Sequence, residues 1–451
     1  MTLSGRKKLT SMFLAFLCLV YSSSALAQPV IKEITGKEGD KIWFIEDHSI
    51  PVIQVKIAFK NSGSSYDSPQ KSGIAYVLAQ MLDEGAGNLS DIQFKKRLEE
   101  MAIEMDFDVD KDNFYASIKT LSENRKNAFE MLGMALTVPQ FGSEAAQRVS
   151  GQLITSLTQK MEDPYYLSGI KWDELYFGSH PYSQPMMGKP ETVSDIRRKD
   201  IVDFMRMKFV RSNMVVSVVG DISEKELDKL AYEYLYVLPK TPPNIDTPFL
   251  HNMIQEFIPP ENAKTISLHS PNPQSVAAFG LPWLPYKHPD FYASHIINYV
   301  LGGGEFESRL MKEIREKEGL AYSVYTYPQN YDHASVLSGA VGTRKAKIKD
   351  SLDIIRKEIK KIHEHGITQE ELESAKSYLT GSFAIKLDSN KKLMDFLTFV
   401  QLNDLGIDFF EKRNNYIEKI TLNDVNRVAS QLLDDSKLFT VVIGENEKQD
   451  K

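Results

Sequence analysis

The chain has 451 residues, 42% of them hydrophobic and 25% charged, the balance of a globular protein long enough for two or more domains with full cores. Its formal net charge is −7, and an acidic chain without basic clusters argues against nucleic acid as a partner. The single cysteine, Cys18, excludes a disulfide framework.

The first residues read as a secretory leader. Arg6, Lys7 and Lys8 form a positive segment, residues 11–20 are a short apolar run, and Ala25-Leu26-Ala27 fits a small-x-small cleavage site. The expectation is a signal peptide over 1–27, removed before Gln28, and an exported protein that is periplasmic or secreted. The mature chain would carry no cysteine. No later stretch is long and apolar enough to span a bilayer, so no stable membrane insertion is expected after cleavage.

Two strand-like runs, 41–45 and 52–59, flank a turn at residues 47–51. Residues 73–82 read as an apolar helix ending near Gly85, and Ser90 with Gln93 has capping-box spacing for a second helix to about Met101. Residues 107–109 and 114–118 look like a strand pair. Helices are expected from Ser122 to Leu136, from Ser143 to about Lys160, and from Thr192, again at capping-box spacing, to about Phe209. A Val-rich strand at 215–219 ends in Gly220. Six prolines between Leu238 and Pro260 mark a linker. The same grammar then returns: a strand at 276–281, an apolar helix at 291–301, helices capped by Thr368/Glu371 and Thr421/Asp424, and a strand at 439–443 ending in Gly444. The recurrence predicts an α+β fold of two homologous halves, 28–240 and 261–451, joined by the Pro-rich linker at 241–260.

Chemistry concentrates in residues 302–325. Gly302, Gly303 and Gly304 allow a tight turn or a close approach of another chain. Residues 308–318 read as a charged helix stopped by Gly319, and 321–327 alternate as a strand. Arg315 and Tyr322 lie seven residues apart across that helix-to-strand turn. A guanidinium and a phenol brought together there can hold a peptide carbonyl or an oxyanion.

Taken in order, several blocks resemble the pitrilysin and mitochondrial-processing-peptidase family, the inverzincins. In the first half they are Gly63-Ser64, the run 73–82, His180-Pro181-Tyr182 with Gly188, and Asn213 through Asp221; in the second they are Gly302 to Gly304, Ser308-Arg309-Leu310 and the run 315–323. The resemblance covers nearly the whole mature chain and implies two α/β-sandwich halves enclosing peptide. The family signature is H-x-x-E-H on a helix, two imidazoles for zinc and a glutamate to activate its water. The matching positions here are Tyr76, Ala79 and Gln80, and the best match for the family's third ligand, a downstream glutamate, is Gln152. A phenol and two neutral amides will not hold zinc tightly, and alanine cannot take a proton. Asp83 and Glu84 are expected as exposed helix-end charges, and His363 and His365, two apart, do not share a helix face.

The resemblance also implies that Arg315 and Tyr322 bind the scissile peptide or its tetrahedral intermediate. It places residues 112–117, including Asn113, in the family's peptide-binding edge-strand region, and it makes Gly302, Gly303 and Gly304 candidates for guiding substrate. The chain therefore looks like the non-zinc subunit of a heterodimeric peptidase acting on unfolded peptides. No cofactor is expected in this chain, and zinc is expected in a homologous partner bearing H-x-x-E-H. The alternative is a catalytically inactive relative acting as a scaffold or peptide-binding protein.

Overall fold

The computed structural model describes residues 30–36, 39–244, 254–262, 264–385 and 387–444, and among these eleven strands form two sheets. The predicted leader, and residues 245–253 of the predicted linker, lie outside the described residues. The first sheet holds β1 (Lys32–Thr35), β2 (Lys41–Glu46), β3 (Val52–Phe59), β4 (Glu104–Val109), β5 (Phe114–Leu121) and β6 (Met214–Gly220), in the order β1-β2-β6-β3-β5-β4. The second holds β7 (Thr265–Leu268), β8 (Gln274–Pro282), β9 (Ala321–Tyr331), β10 (Ala334–Arg344) and β11 (Phe439–Ile443), in the order β7-β11-β8-β10-β9.

The repeat read from the sequence is a repeat of topology. β2 runs parallel to β6 as β7 runs parallel to β11, and the remaining pairs are antiparallel. Laying β2–β6 over β7–β11 matches the strands one for one. Gly220 and Gly444 end the two equivalent strands at φ 140° and 102°. A Cβ on Gly220 would stand 2.1 Å from the Val52 carbonyl oxygen, so only glycine fits that exit.

Both faces of β6 and β11 are buried, which is why each reads as an unbroken apolar run rather than an alternation. One face is covered by helices of the same half. The other is covered by a helix from the opposite half. The Pro164–Phe177 helix lies on β8 and β11, and the Asn390–Leu402 helix lies on β6 and β3. Trp172 donates its indole N–H to the Phe439 carbonyl (3.1 Å) and stacks on Tyr176 with ring centroids 4.3 Å apart. Gly280 makes room for it, because a Cβ there would meet the indole at 2.6 Å. In return, the Gln401 amide donates to the Val216 carbonyl (3.1 Å) and the Ser217 hydroxyl (2.7 Å), and Lys56 pairs with Asp395 at 2.7 Å. Rings the size of Trp172 bury about 150–250 Å² each, roughly 4–6 kcal/mol of transfer free energy before ordering entropy is subtracted. The halves are thus held by exchanged helices with apolar cores, an arrangement no local pattern announces.

Most caps form as their spacing predicts. The reciprocal bonds of a capping box are present at Ser90/Gln93, Thr368/Glu371 and Thr421/Asp424. The expected helix from Thr192 is different. Pro190–Ser194 form a short helix of their own, the Thr192 hydroxyl donates to the Ser72 carbonyl (2.7 Å), and a new helix, Arg198–Lys208, starts with Asp200 accepting from the Arg197 N–H at 2.9 Å. Among the described residues no helix is long and apolar enough to cross a membrane.

Candidate functional site

The helix that would carry a metal motif is framed carefully and left without ligands. Gly73, at φ 95°, opens the Ile74–Ala79 helix where a Cβ would press within 2.7 Å of the Met187 carbonyl oxygen. Buried Asp67 accepts the N–H groups of Gly73 (2.7 Å) and Ala75 (3.3 Å), and burial pushes its carboxyl well above the usual range. The helix has six residues and stops short of the expected Leu82. Tyr76 is half-buried, with its phenol raised by burial and by the nearby Asp108 charge. Ala79 is buried, and Gln80 is exposed at the helix end. Gln152 is exposed on the Ser143–Lys160 helix.

This donor set does not fit zinc. A phenol whose proton is held more tightly than usual and two amides supply no strong ligand, and Ala79 supplies no base. Among the described residues no three His, Cys, Asp or Glu side chains are grouped so as to hold a metal ion. Glu84 corrects one expectation. It is buried, not exposed, and its carboxylate is clamped between Arg148 and Lys95 (2.6 Å). The sequence reading missed this because Arg148 arrives from a helix 64 residues away.

The edge-strand expectation for residues 112–117 also requires a correction. β5, which follows Asn113, is not an edge strand: it pairs with β3 on one side and with β4 on the other, and β4 is the edge. The tight turn 110–113 folds β4 to the outside, and strand order is not encoded in local alternation. Asn113 itself is buried in that turn, where its N–H donates to Asp110 Oδ1 at 2.6 Å.

The glycines fall in a packing contact. Tyr299–Gly303 continue the Phe291–Asn298 helix as a wider π-helical turn, and the turn lies against β9. A Cβ on Gly302 would come within 2.6 Å of Thr326 Oγ1 and 2.9 Å of its backbone nitrogen. The Thr326 hydroxyl in turn donates to the Asn298 side chain at 2.8 Å, with both residues buried. Close approach of helix to sheet accounts for Gly302.

Beyond the glycines, the expected charged helix is itself π-helical over Met311–Lys317, closed by a bond from the Glu318 N–H to the Glu313 carbonyl. Wider turns of this kind are frequent at functional sites. Met311 and Ile314 face the core, and Arg315, next to Ile314, is half-buried. Its guanidinium lies 4.8 Å over the Phe306 ring, and it has no carboxylate partner among the described residues. Tyr322 sits in a β-bulge: Val324 pairs with Val341 and Ala321 with Thr343, so two residues of β9 oppose Gly342 alone. The bulge breaks the alternation and leaves Tyr322 90% exposed on an edge strand. The π-helical segment and the start of β9 pack together, with the Leu320 N–H on the Ile314 carbonyl at 2.9 Å. Arg315 and Tyr322 therefore project from adjoining elements, without bonding each other. Tyr322 offers its hydroxyl outward, and Arg315 is half-buried with its guanidinium over Phe306.

Residues 43–165 match the model of insulinase, peptidase family M16, and residues 195–379 match that of the peptidase M16 inactive domain. The chain belongs to the M16 peptidase family. It is 29% identical over 408 residues to the non-peptidase homolog YmxG of Helicobacter pylori, covering 90% of this chain and 92% of that one. The fold is shared with a peptidase M16 inactive domain structure from Pseudomonas fluorescens (TM-score 0.85, 24% identity, 92% and 98% of the two chains). It is shared also with a Helicobacter pylori protease (TM-score 0.81, 20% identity, 92% and 99%). As an M16 member the chain has the family's two-sheet, two-domain architecture, and among its described residues no group of side chains could hold a metal ion.

Proposed function

We propose that this protein is the exported, non-zinc subunit of a two-chain M16 peptidase acting on unfolded peptides. A homologous partner would contribute the metal and the general base. This chain would contribute Arg315 and Tyr322, which hold the peptide carbonyl and the oxyanion that develops on it. The observation that carries the reading is the pair itself: a guanidinium with no counter-ion among the described residues and a 90% exposed phenol, on a π-helical segment and a strand bulge that pack together.

The test is reconstitution. The chain is co-expressed with a homologous chain bearing intact H-x-x-E-H, the mixture is fractionated by size, and cleavage of a quenched-fluorescent peptide is followed with zinc content. The proposal predicts a stable pair with turnover far above that of either chain alone. Failure to associate, or full activity of the zinc-bearing chain by itself, would contradict it.

A second reading has its own support in the YmxG relative, described as a non-peptidase homolog. In that reading the chain is a scaffold or peptide-binding protein, and the reconstituted pair binds peptide without cleaving it.

A further inference from the structure

Arg315 is partnered by a ring where its neighbours are partnered by acids. Three carboxylates that meet the 305–318 segment are taken by its other cations: Glu307 by Lys312 (2.9 Å), Glu313 by Lys317 (2.7 Å) and Glu371 by Arg309 (two bonds of 2.7 Å). The Arg315 guanidinium lies 4.8 Å from the centre of the Phe306 ring and donates no hydrogen bond to the described residues. A carboxylate would hold a guanidinium and neutralise it in the same contact. A ring holds it through its quadrupole and leaves the charge and the N–H donors in place.

The backbone around Phe306 is pinned on both sides. Phe306 is the middle residue of the Glu305–Glu307 turn, which follows the three glycines. Glu305 adopts φ 48°, a conformation uncommon for a residue with a side chain. The Glu307 N–H closes the turn on the Gly304 carbonyl (3.0 Å). Fully buried Ser308 then donates both its hydroxyl (2.8 Å) and its N–H (3.2 Å) to the Glu305 carbonyl. The ring presented by this turn is 53% exposed and belongs to none of the hydrophobic cores. Its one charged or aromatic partner among the described residues is Arg315.

We propose that Phe306 is a positioning residue for Arg315: its ring fixes where the guanidinium stands and leaves it charged and unpaired for the peptide carbonyl. This role rests on the two-chain peptidase reading, because a substrate is what gives the free donors something to hold. A donor set in place beforehand gives up less rotamer freedom when the oxyanion develops, so the ring acts on the chemical step and not on assembly or zinc content.

The contact is tested on the full chain alone with phenylglyoxal, which attacks the deprotonated guanidinium, the reaction at Arg315 being followed by peptide mass mapping. Phe306→Leu should raise the rate at Arg315 about two- to fivefold, the range an exposed ring–guanidinium contact supports, and Phe306→Trp should return it to the wild-type rate. Arg309, held by Glu371 and not by a ring, is the internal reference and should not change. In the reconstituted pair, Phe306→Leu should lower the single-turnover rate at saturating peptide by about the same two- to fivefold, with zinc content and assembly unchanged. Phe306→Trp should restore that rate. Phe306→Glu, which can hold the guanidinium but neutralises it, should not. Equal Arg315 reactivity in wild type and Phe306→Leu overturns the proposal. So does an unchanged turnover rate in Phe306→Leu, or full turnover in Phe306→Glu, where Arg315→Ala lowers turnover. Wild-type turnover in Arg315→Ala would instead contradict the peptidase reading, and the reactivity of Arg315 would still decide the contact.

Discussion

Gly302 separates a packing role from a substrate-guiding role most sharply. In Gly302→Ala the new methyl group would stand 2.6 Å from Thr326 Oγ1 and 2.9 Å from the Thr326 nitrogen. The hydroxyl can rotate away, but only by giving up its 2.8 Å bond to Asn298, worth about 1 kcal/mol when buried. The nitrogen cannot move without shifting β9, which pairs with β10 along its length. Overpacking of this kind costs about 1–3 kcal/mol, so a total loss of roughly 2–4 kcal/mol is expected. Urea unfolding followed by circular dichroism measures it as a lowered midpoint with an unchanged slope. Retention of wild-type stability with a loss confined to peptide turnover would refute the packing argument and restore the glycines to the substrate path.

Three further outcomes follow from the fold. Trp172→Ala removes a buried ring and its bond to Phe439 and should cost about 3–5 kcal/mol; calorimetry should show the single unfolding transition broadening or splitting as the halves uncouple. Arg148→Ala leaves buried Glu84 with Lys95 alone and should destabilise by about 1–3 kcal/mol, more than an ordinary surface substitution, by urea unfolding. Asp112 has a folded pKa near 7, above its unfolded value, so the native state binds the extra proton and this group's contribution falls as pH rises from about 4 to about 7. Asp112→Asn should therefore flatten the decline in stability across that window, and parallel slopes for the two proteins would contradict the assignment.

How much of this was legible in the sequence depended on whether the signal was local. Capping boxes at Ser90, Thr368 and Thr421 satisfy their own helix ends, so they form wherever the spacing occurs. The Val-rich strands ending in Gly220 and Gly444 were readable because burial on both faces leaves no alternation, and they carried the repeat. That Tyr76, Ala79, Gln80 and Gln152 are poor zinc donors was readable from residue type alone. Strand order was not, so β5 was expected at an edge that β4 occupies. Nor was the helix exchange, since nothing in residues 164–177 says which sheet they cover. The bulge at Tyr322 and the π-helical turns are products of tertiary fit. They are what expose the Arg315/Tyr322 pair, and spacing alone could only bring the two close.

The most direct test of the shared-site account uses the reconstituted pair. Turnover and zinc content are measured for wild type, Arg315→Ala and Tyr322→Phe under single-turnover conditions. If these groups hold the developing oxyanion, each variant should lower the rate by about 10²–10³ while assembly and zinc per complex stay unchanged. Wild-type turnover in both variants would show that this chain contributes no chemistry to the pair.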